Sequence, residues 1–209
     1  MKPAILAIEL STPTGQLAVL RDGAVLYEGA FTSNRSHNSM LYAPLAEALA
    51  AAGDTLGLIV VGTGPGSYTG VRIGIAAAHG VALSRRVPVI GWPSLAALSP
   101  AEAYHVVGDA RRGKFYTGRM ERGRMAGGIV LREEADFRAW HEAHVGEPCF
   151  TSDAAAPLGL AGVEPAQPGA LLLARLAAGI DAGELERLAA MELEPFYLTE
   201  AFITTAKKK

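Results

Sequence analysis

The stretch of this sequence best suited to chemistry is a glycine-rich turn, Gly62-Thr63-Gly64-Pro65-Gly66-Ser67-Tyr68-Thr69-Gly70. A helix N-terminus after such a turn presents backbone amides to an anion. Two checks bear on it. A Walker loop ends in Gly-Lys-Ser/Thr, so that the lysine reaches the phosphates; here the last residues are Tyr68-Thr69-Gly70, without a lysine. A dinucleotide fold sets an acid at the tip of its second strand to hold the ribose; here that strand runs into Gly91-Trp92-Pro93. The turn therefore reads as structural rather than as a phosphate loop. Glu9, followed by Ser11 and Thr12, is a second candidate. It could be a vestigial phosphate turn facing a metal-bound nucleotide, or an acid capped by neighbouring backbone amides, and the second reading is favoured. Asp109 sits beside Arg111, Arg112 and Lys114, which favours a salt bridge over catalysis. His37 would need a second histidine four residues on to hold a metal on one helix face, but that position is Leu41; it reads as a cap or surface group. No nucleophile with a flanking base is visible. No metal and no cofactor are expected.

The elements that must position these residues follow from apolar periodicity. Leu58-Ile59-Val60-Val61 is a β-branched run of a buried strand, and Pro88-Val89-Ile90-Gly91 is another. Between them Val71 to Arg86 is long enough for about four helical turns, so the unit is βαβ with parallel strands. That helix is apolar on two sides. Val71, Ile75, Ala78 and Ala82 form one stripe; Ile73, Ala76, Ala77, Gly80 and Leu83 form much of the other. One side covers the sheet. The other either is sandwiched inside its own chain or meets a second protein, and small residues such as Gly74, Ala76, Ala77 and Gly80 would let another helix come close.

With 209 residues, half of them hydrophobic and 19% charged, the chain can build one large domain or two small ones. A formal charge of −2 gives no general attraction to nucleic acid or anionic membrane; only Lys207-Lys208-Lys209 is locally basic. One cysteine, Cys149, excludes an internal disulfide and a multi-cysteine metal site. The start, MKPAILAIEL, lacks the apolar length of a signal peptide, and no run is long enough to span a bilayer. A cytoplasmic location is the expectation.

Along the chain, strands are predicted over 4–10, 16–21 and 24–31, with Asp22-Gly23 as a hairpin turn. A helix is predicted over 39–52, with Leu41, Leu45, Ala48, Leu49 and Ala52 inward, Pro44 bending it or marking its true start, and Gly53 closing it. A short helix follows Ser94. From Tyr104 the pattern begins again, with strands over 105–108, 114–122 and 125–131, a helix over 135–144, a strand over 149–151, a loop over 152–169, and helices over 169–178 and 182–191. The fold class is α/β, and the order, βββαβα twice, is that of an actin-like ATPase (ribonuclease-H-like) fold. Its expected subdomains are 1–100 and 101–209, the second ending in an extended Pro195-Phe196-Tyr197-Leu198 and a tail that could pack back on the first.

Three segments in order carry a resemblance: Ile5 to Glu9 with Ser11-Thr12; Gly64-Pro65-Gly66-Ser67-Tyr68-Thr69-Gly70-Val71-Arg72-Ile73-Gly74; and Asp109-Ala110-Arg111-Arg112-Gly113-Lys114-Phe115-Tyr116. Ser36-His37 and Glu194 to Leu198 add to it. Over Ala4 to about Leu198 the chain resembles the bacterial TsaB (YeaZ) family, the middle motif being long and specific. That resemblance implies a non-catalytic role in the biosynthesis of N6-threonylcarbamoyladenosine at position 37 of tRNA, supporting a TsaD-like threonylcarbamoyl transferase together with a small TsaE-like ATPase. The catalytic relative holds its metal through two histidines four apart on the first helix; Leu41 stands where the second would be. The family's partner surface is the outer face of the first two helices, which implies an interface containing His37, Met40, Arg72, Ile73, Ala76, Ala77, Gly80 and Leu83. It also implies a homodimer when the chain is alone, and contact with tRNA only through its partners. The competing expectation is an ATP-dependent small-molecule kinase of the same superfold, with Glu9 and Asp109 around Mg-ATP.

Overall fold

A computed structural model of the protein describes residues 2–32 and 37–198, the side chains of residues 37–39 excepted. Ser36, the tail from Thr199 and Lys207–Lys209 lie outside the described residues, and so does the His37 side chain. Two five-stranded sheets repeat one plan. In the first, β1 (Ala4–Glu9) is central, pairing antiparallel with β2 (Thr14–Arg21) and parallel with β4 (Leu56–Gly62). β3 (Ala24–Thr32) and β5 (Val89–Trp92) form the edges, giving the order β3-β2-β1-β4-β5. The second sheet has β6 (Ala103–Arg111), β7 (Lys114–Glu121), β8 (Arg124–Glu133), β9 (Cys149–Thr151) and β10 (Val163–Pro165) in the order β10-β9-β6-β7-β8. Again the first two pairings are antiparallel and the last two parallel.

The unbroken apolar run of β1 is explained by its place. Every one of its six residues is buried, because protein covers both faces of the sheet. Leu6 and Ile8 face one side with Leu17, Val19, Ile59 and Val61, where α1 (His37–Ala52) and α2 (Tyr68–Arg85) pack. Ile5 and Ala7 face the other with Leu58, Val60 and Trp92, and there they meet α4 (Ala170–Ala178) and the inner face of the second sheet, Tyr104, Val106 and Met120. On the outer face of that sheet, Val107, Phe115 and Cys149 enclose Phe137 of α3 (Glu134–Ala143). α5 (Ala182–Ala189) follows α4. No helix among the described residues is long and apolar enough to cross a membrane.

Three hairpins turn on two residues each, Asp22-Gly23, Arg112-Gly113 and Arg122-Gly123, all six with positive φ. That is the turn whose twist matches the strands, and glycine second is what makes it cheap. Three expectations need correction. α2 begins at Tyr68, not Val71, because Ser67 caps it, its Oγ accepting from the Gly70 N–H at 3.1 Å. α1 begins at His37 and runs through Pro44 without ending. Residues 152–169 are not all loop: Val163–Pro165 is the edge strand β10, parallel to β9 and three residues long, too short for any periodicity to announce.

Trp92 joins the two halves. It is 1% exposed, its indole N–H donates to the Gly123 carbonyl at 2.8 Å across to the β7–β8 hairpin, and the Arg124 guanidinium lies 3.9 Å above its ring. Trp92→Ala would leave a large hole at that junction and an unpaired carbonyl. It is expected to lower stability by about 3–5 kcal/mol, read from urea unfolding; a loss under 1 kcal/mol would mean that the halves are held together elsewhere.

Candidate functional site

The outward side of α2 is where sequence and structure meet. Gly70, Val71, Gly74, Ile75, Ala78, Val81 and Ala82 are buried on the sheet. Around the other side, Arg72, Ala76, Gly80 and Leu83 are exposed, while Ile73 and Ala77 are half-buried against the edge of the core. Leu83 is 84% exposed, and a Cβ added at Gly80 would meet nothing within 4 Å. From α1, Met40 is 46% and Tyr42 68% exposed. Leu41, in contrast, is 1% exposed in the core, so the helix position that could have completed a metal pair with His37 faces the sheet.

Arg72 is occupied within the chain. Its guanidinium lies 4.0 Å over the Tyr68 ring, and its Nε donates to the Tyr197 hydroxyl at 2.8 Å; the two tyrosines stack with centroids 5.4 Å apart. The Phe196 N–H donates to the Thr63 carbonyl at 2.8 Å. The segment ending at Leu198 is thereby tied to the glycine turn and the first turn of α2. Sequence reasoning missed this pairing of Tyr68 and Tyr197; the only signal was the Glu194 to Leu198 motif, which names no contact.

Glu9, Ser11 and Thr12 lie together at the end of β1, all buried. The Ser11 N–H donates to Glu9 Oε1 at 2.6 Å, while Glu9 Oε2 and Ser11 Oγ make no well-formed hydrogen bond among the described residues. Burial raises the Glu9 carboxyl above its ordinary pKa, offset only in part by the Ser11 side chain and N–H and by the Ser94 hydroxyl beside it. The glycine turn presses on this corner. The Ser67 N–H donates to the Ser11 carbonyl at 2.6 Å, and a side chain at Gly66 would collide with that carbonyl. At this corner the backbone of the glycine turn lies directly against the end of β1.

Asp109 is elsewhere, on a cleft cavity of about 660 Å³ lined also by Gly66, Tyr68, Arg111, Arg112, Lys114, Tyr116, Asp153 and Tyr197. Neither Glu9, Ser11 nor Thr12 lines it. Asp109 accepts from the Arg111 N–H at 2.6 Å and pairs with the Arg111 guanidinium at 3.5 Å; its own N–H donates to Asp153 Oδ2 at 2.8 Å. Lys114 pairs with Glu133 at 3.2 Å. Burial lifts the Asp153 carboxyl. The cleft is thus lined by charges of both signs, and the structure does not bring Glu9 and Asp109 into one site.

The architecture, two sheets of equal strand order with helices on their faces, is that of the ribonuclease-H-like, actin-like α/β proteins. The solved structure of YeaZ from Pseudomonas aeruginosa superposes with a TM-score of 0.73 at 24% identity, covering 95% of this chain and 100% of that one. A family model described as TsaD, tRNA N6-adenosine threonylcarbamoyltransferase, matches residues 31–138, just over half of the chain. A tRNA threonylcarbamoyladenosine biosynthesis protein TsaB from Bacillus subtilis is 40% identical over 124 residues, 54% of this chain and 53% of that protein. The TsaB of Haemophilus influenzae is 28% identical over 227 residues, 93% of this chain and 92% of that one. The chain belongs to the TsaB (YeaZ) family.

Proposed function

We propose that this chain is a non-catalytic partner subunit in tRNA N6-threonylcarbamoyladenosine biosynthesis, binding a TsaD-like threonylcarbamoyl transferase through the outer faces of α1 and α2. In this reading the subdomain of residues 1–100 carries the partner face, and a small TsaE-like ATPase joins the assembly. tRNA is reached only through those partners, and the free chain pairs with a second copy by the same face, in the cytoplasm. The observation that carries it is the open stripe of α2, where Ala76, Gly80 and Leu83 expose small and apolar surface beside an otherwise well-covered sheet. Two further features support the absence of chemistry of its own: Leu41 is buried where a metal-binding histidine would be needed, and Glu9 is sealed away from the cleft.

The test is reconstitution. The purified chain should co-elute with its cognate transferase and restore the modified adenosine in a bacterial strain that lacks TsaB. If it does neither, the proposal fails. The kinase reading has the cleft cavity in its favour, but it needs two acids around one nucleotide, and Glu9 does not reach that space. Calorimetry with Mg-ATP decides it: heat of binding that disappears in Asp109→Ala would restore the kinase reading.

A further inference from the structure

We infer that His105, His144 and Glu147 form a binding site for a divalent transition-metal ion of the zinc class, on the α3 side of the second sheet, with Arg119 holding its place while no ion is bound. Their three ligand atoms lie within 4.8 Å of one another. His105 comes from β6, His144 from the end of α3, and Glu147 from the loop leading to β9. Two imidazoles and a carboxylate are a donor set that suits zinc, leaving a fourth position open. Tetrahedral bonds of about 2.0–2.1 Å would bring the ligand atoms to roughly 3.4 Å apart, so a modest closure is needed. Glu147, whose side chain is 46% exposed, is the arm free to make it.

The protons are arranged for this. His144 Nδ1 lies 2.7 Å from the Trp140 carbonyl, which can only accept, so Nδ1 carries a proton and Nε2 is the nitrogen left for an ion. A ring nitrogen bonded to a backbone carbonyl, with the other left for the ion, is the usual support for a metal-binding histidine. Trp140 stacks on His144 at 4.4 Å and meets His105 edge-on at 5.1 Å, fixing both rings. A small cavity of about 160 Å³, lined by His144, Glu147 and Cys149 among others, gives room beside them.

His105 Nε2 marks the point where a cation is already held. It is 2.9 Å from Glu147 Oε2, an acceptor, and 3.1 Å from Arg119 Nη1, a donor that also reaches Glu147 Oε2 at 3.2 Å. The guanidinium thus sits against both the ring nitrogen and the carboxylate oxygen, the two atoms that would ligate an ion. A metal ion in that position would take the lone pairs of nitrogen and oxygen together. Arg119 has somewhere to go, because its Nε is already bonded to Glu121 at 2.7 Å.

The experiment uses the untagged full chain, stripped of metal, titrated with Zn²⁺ by calorimetry and with Co²⁺ by absorption. One equivalent of Zn²⁺ is expected, with intense tetrahedral Co²⁺ bands. His144→Ala and Glu147→Gln should each weaken binding by at least about tenfold. Arg119→Gln should tighten it, which a merely structural ion pair would not do. The inference is overturned if no stoichiometric binding is seen, if binding survives unchanged in Glu147→Gln, whose exposed side chain makes that variant safe to fold, or if Arg119→Gln weakens it. The result is independent of whether the chain binds a transferase.

Discussion

A Gly80→Arg chain is expected to fold at least as well as the parent and yet to elute alone when mixed with its TsaD-like transferase. The two halves of that expectation have separate causes. Gly80 lies inside α2, and a side chain there meets nothing within 4 Å. Glycine inside a helix costs about 0.8–1 kcal/mol relative to alanine, and arginine is nearly as good a helix former. The free variant should therefore gain roughly half to one kcal/mol in urea unfolding. Against a partner helix seated on Ala76 and Gly80, the same guanidinium would be buried without a counter-charge, at a cost of several kcal/mol. A loss of about 3 kcal/mol is already a hundredfold in affinity. Ala76→Arg should lose the partner alike but without the gain in stability, since Ala76 is exposed and alanine is already the best helix former. Ala77 is a poorer probe, because it is half-buried against the first core and a charge there would disturb the fold as well. A Gly80→Arg chain that binds the transferase with parental affinity would move the partner face off α2.

Much of the fold was legible because its signals are local. The buried strands β1 and β4 announce themselves as short apolar runs, and Asp22-Gly23 gives its turn type outright. The stripe Val71, Ile75, Ala78 and Ala82 was assigned inward by period alone, and all four are buried. What was not legible depends on capping or on neighbours. Tyr68, Thr69 and Gly70 read as turn because of their glycines, yet the Ser67 cap makes them helix. β10 exists only because β9 offers it an edge.

The site divides in the same way. A helix apolar on two sides is visible in one dimension, but whether its second side is roofed by the chain itself is decided by where α4 and the second sheet go. They cover the opposite face of the first sheet, and Ala76 and Gly80 stay open. Arg72 is exposed on that face, and the contact the sequence does not announce is that of its Nε with Tyr197, 125 residues away. The end of β1 carried a subtler ambiguity. Glu9 and Asp109 occupy matching places in the two repeats, and residue type alone suggests matching roles. The glycine turn covers only the first of them, through Gly66 and Ser67 against Ser11; Asp109 remains on the cleft. Two equivalent acids thus acquire different electrostatics from one loop.

That difference sets up the second large effect, a stability that falls as pH rises and a single substitution that abolishes the fall. Glu9 is completely buried, its Oε2 makes no well-formed hydrogen bond among the described residues, and burial outweighs the Ser11 and Ser94 groups beside it, holding its folded pKa above the ordinary carboxylate value. In the window between the unfolded and the raised folded pKa the native state binds more protons than the unfolded one. The slope of unfolding free energy with pH is then negative. The contribution is present in full below the unfolded pKa and is lost as pH rises through the folded one. Glu9→Gln keeps an oxygen for the Ser11 N–H and removes the charge. At neutral pH it should be more stable than the parent by about 1–3 kcal/mol, the penalty of a buried group left unsatisfied. The gap should close as pH is lowered toward about 4, where the parent's own carboxyl is protonated. Glu9→Ala should not reproduce the gain, because it also loses the bond from Ser11 and leaves a hole. Urea unfolding at a series of pH values measures all three chains. A glutamine variant less stable than the parent at neutral pH, or one whose advantage does not change with pH, would mean that the ionised carboxylate has a stabilising partner at this corner after all.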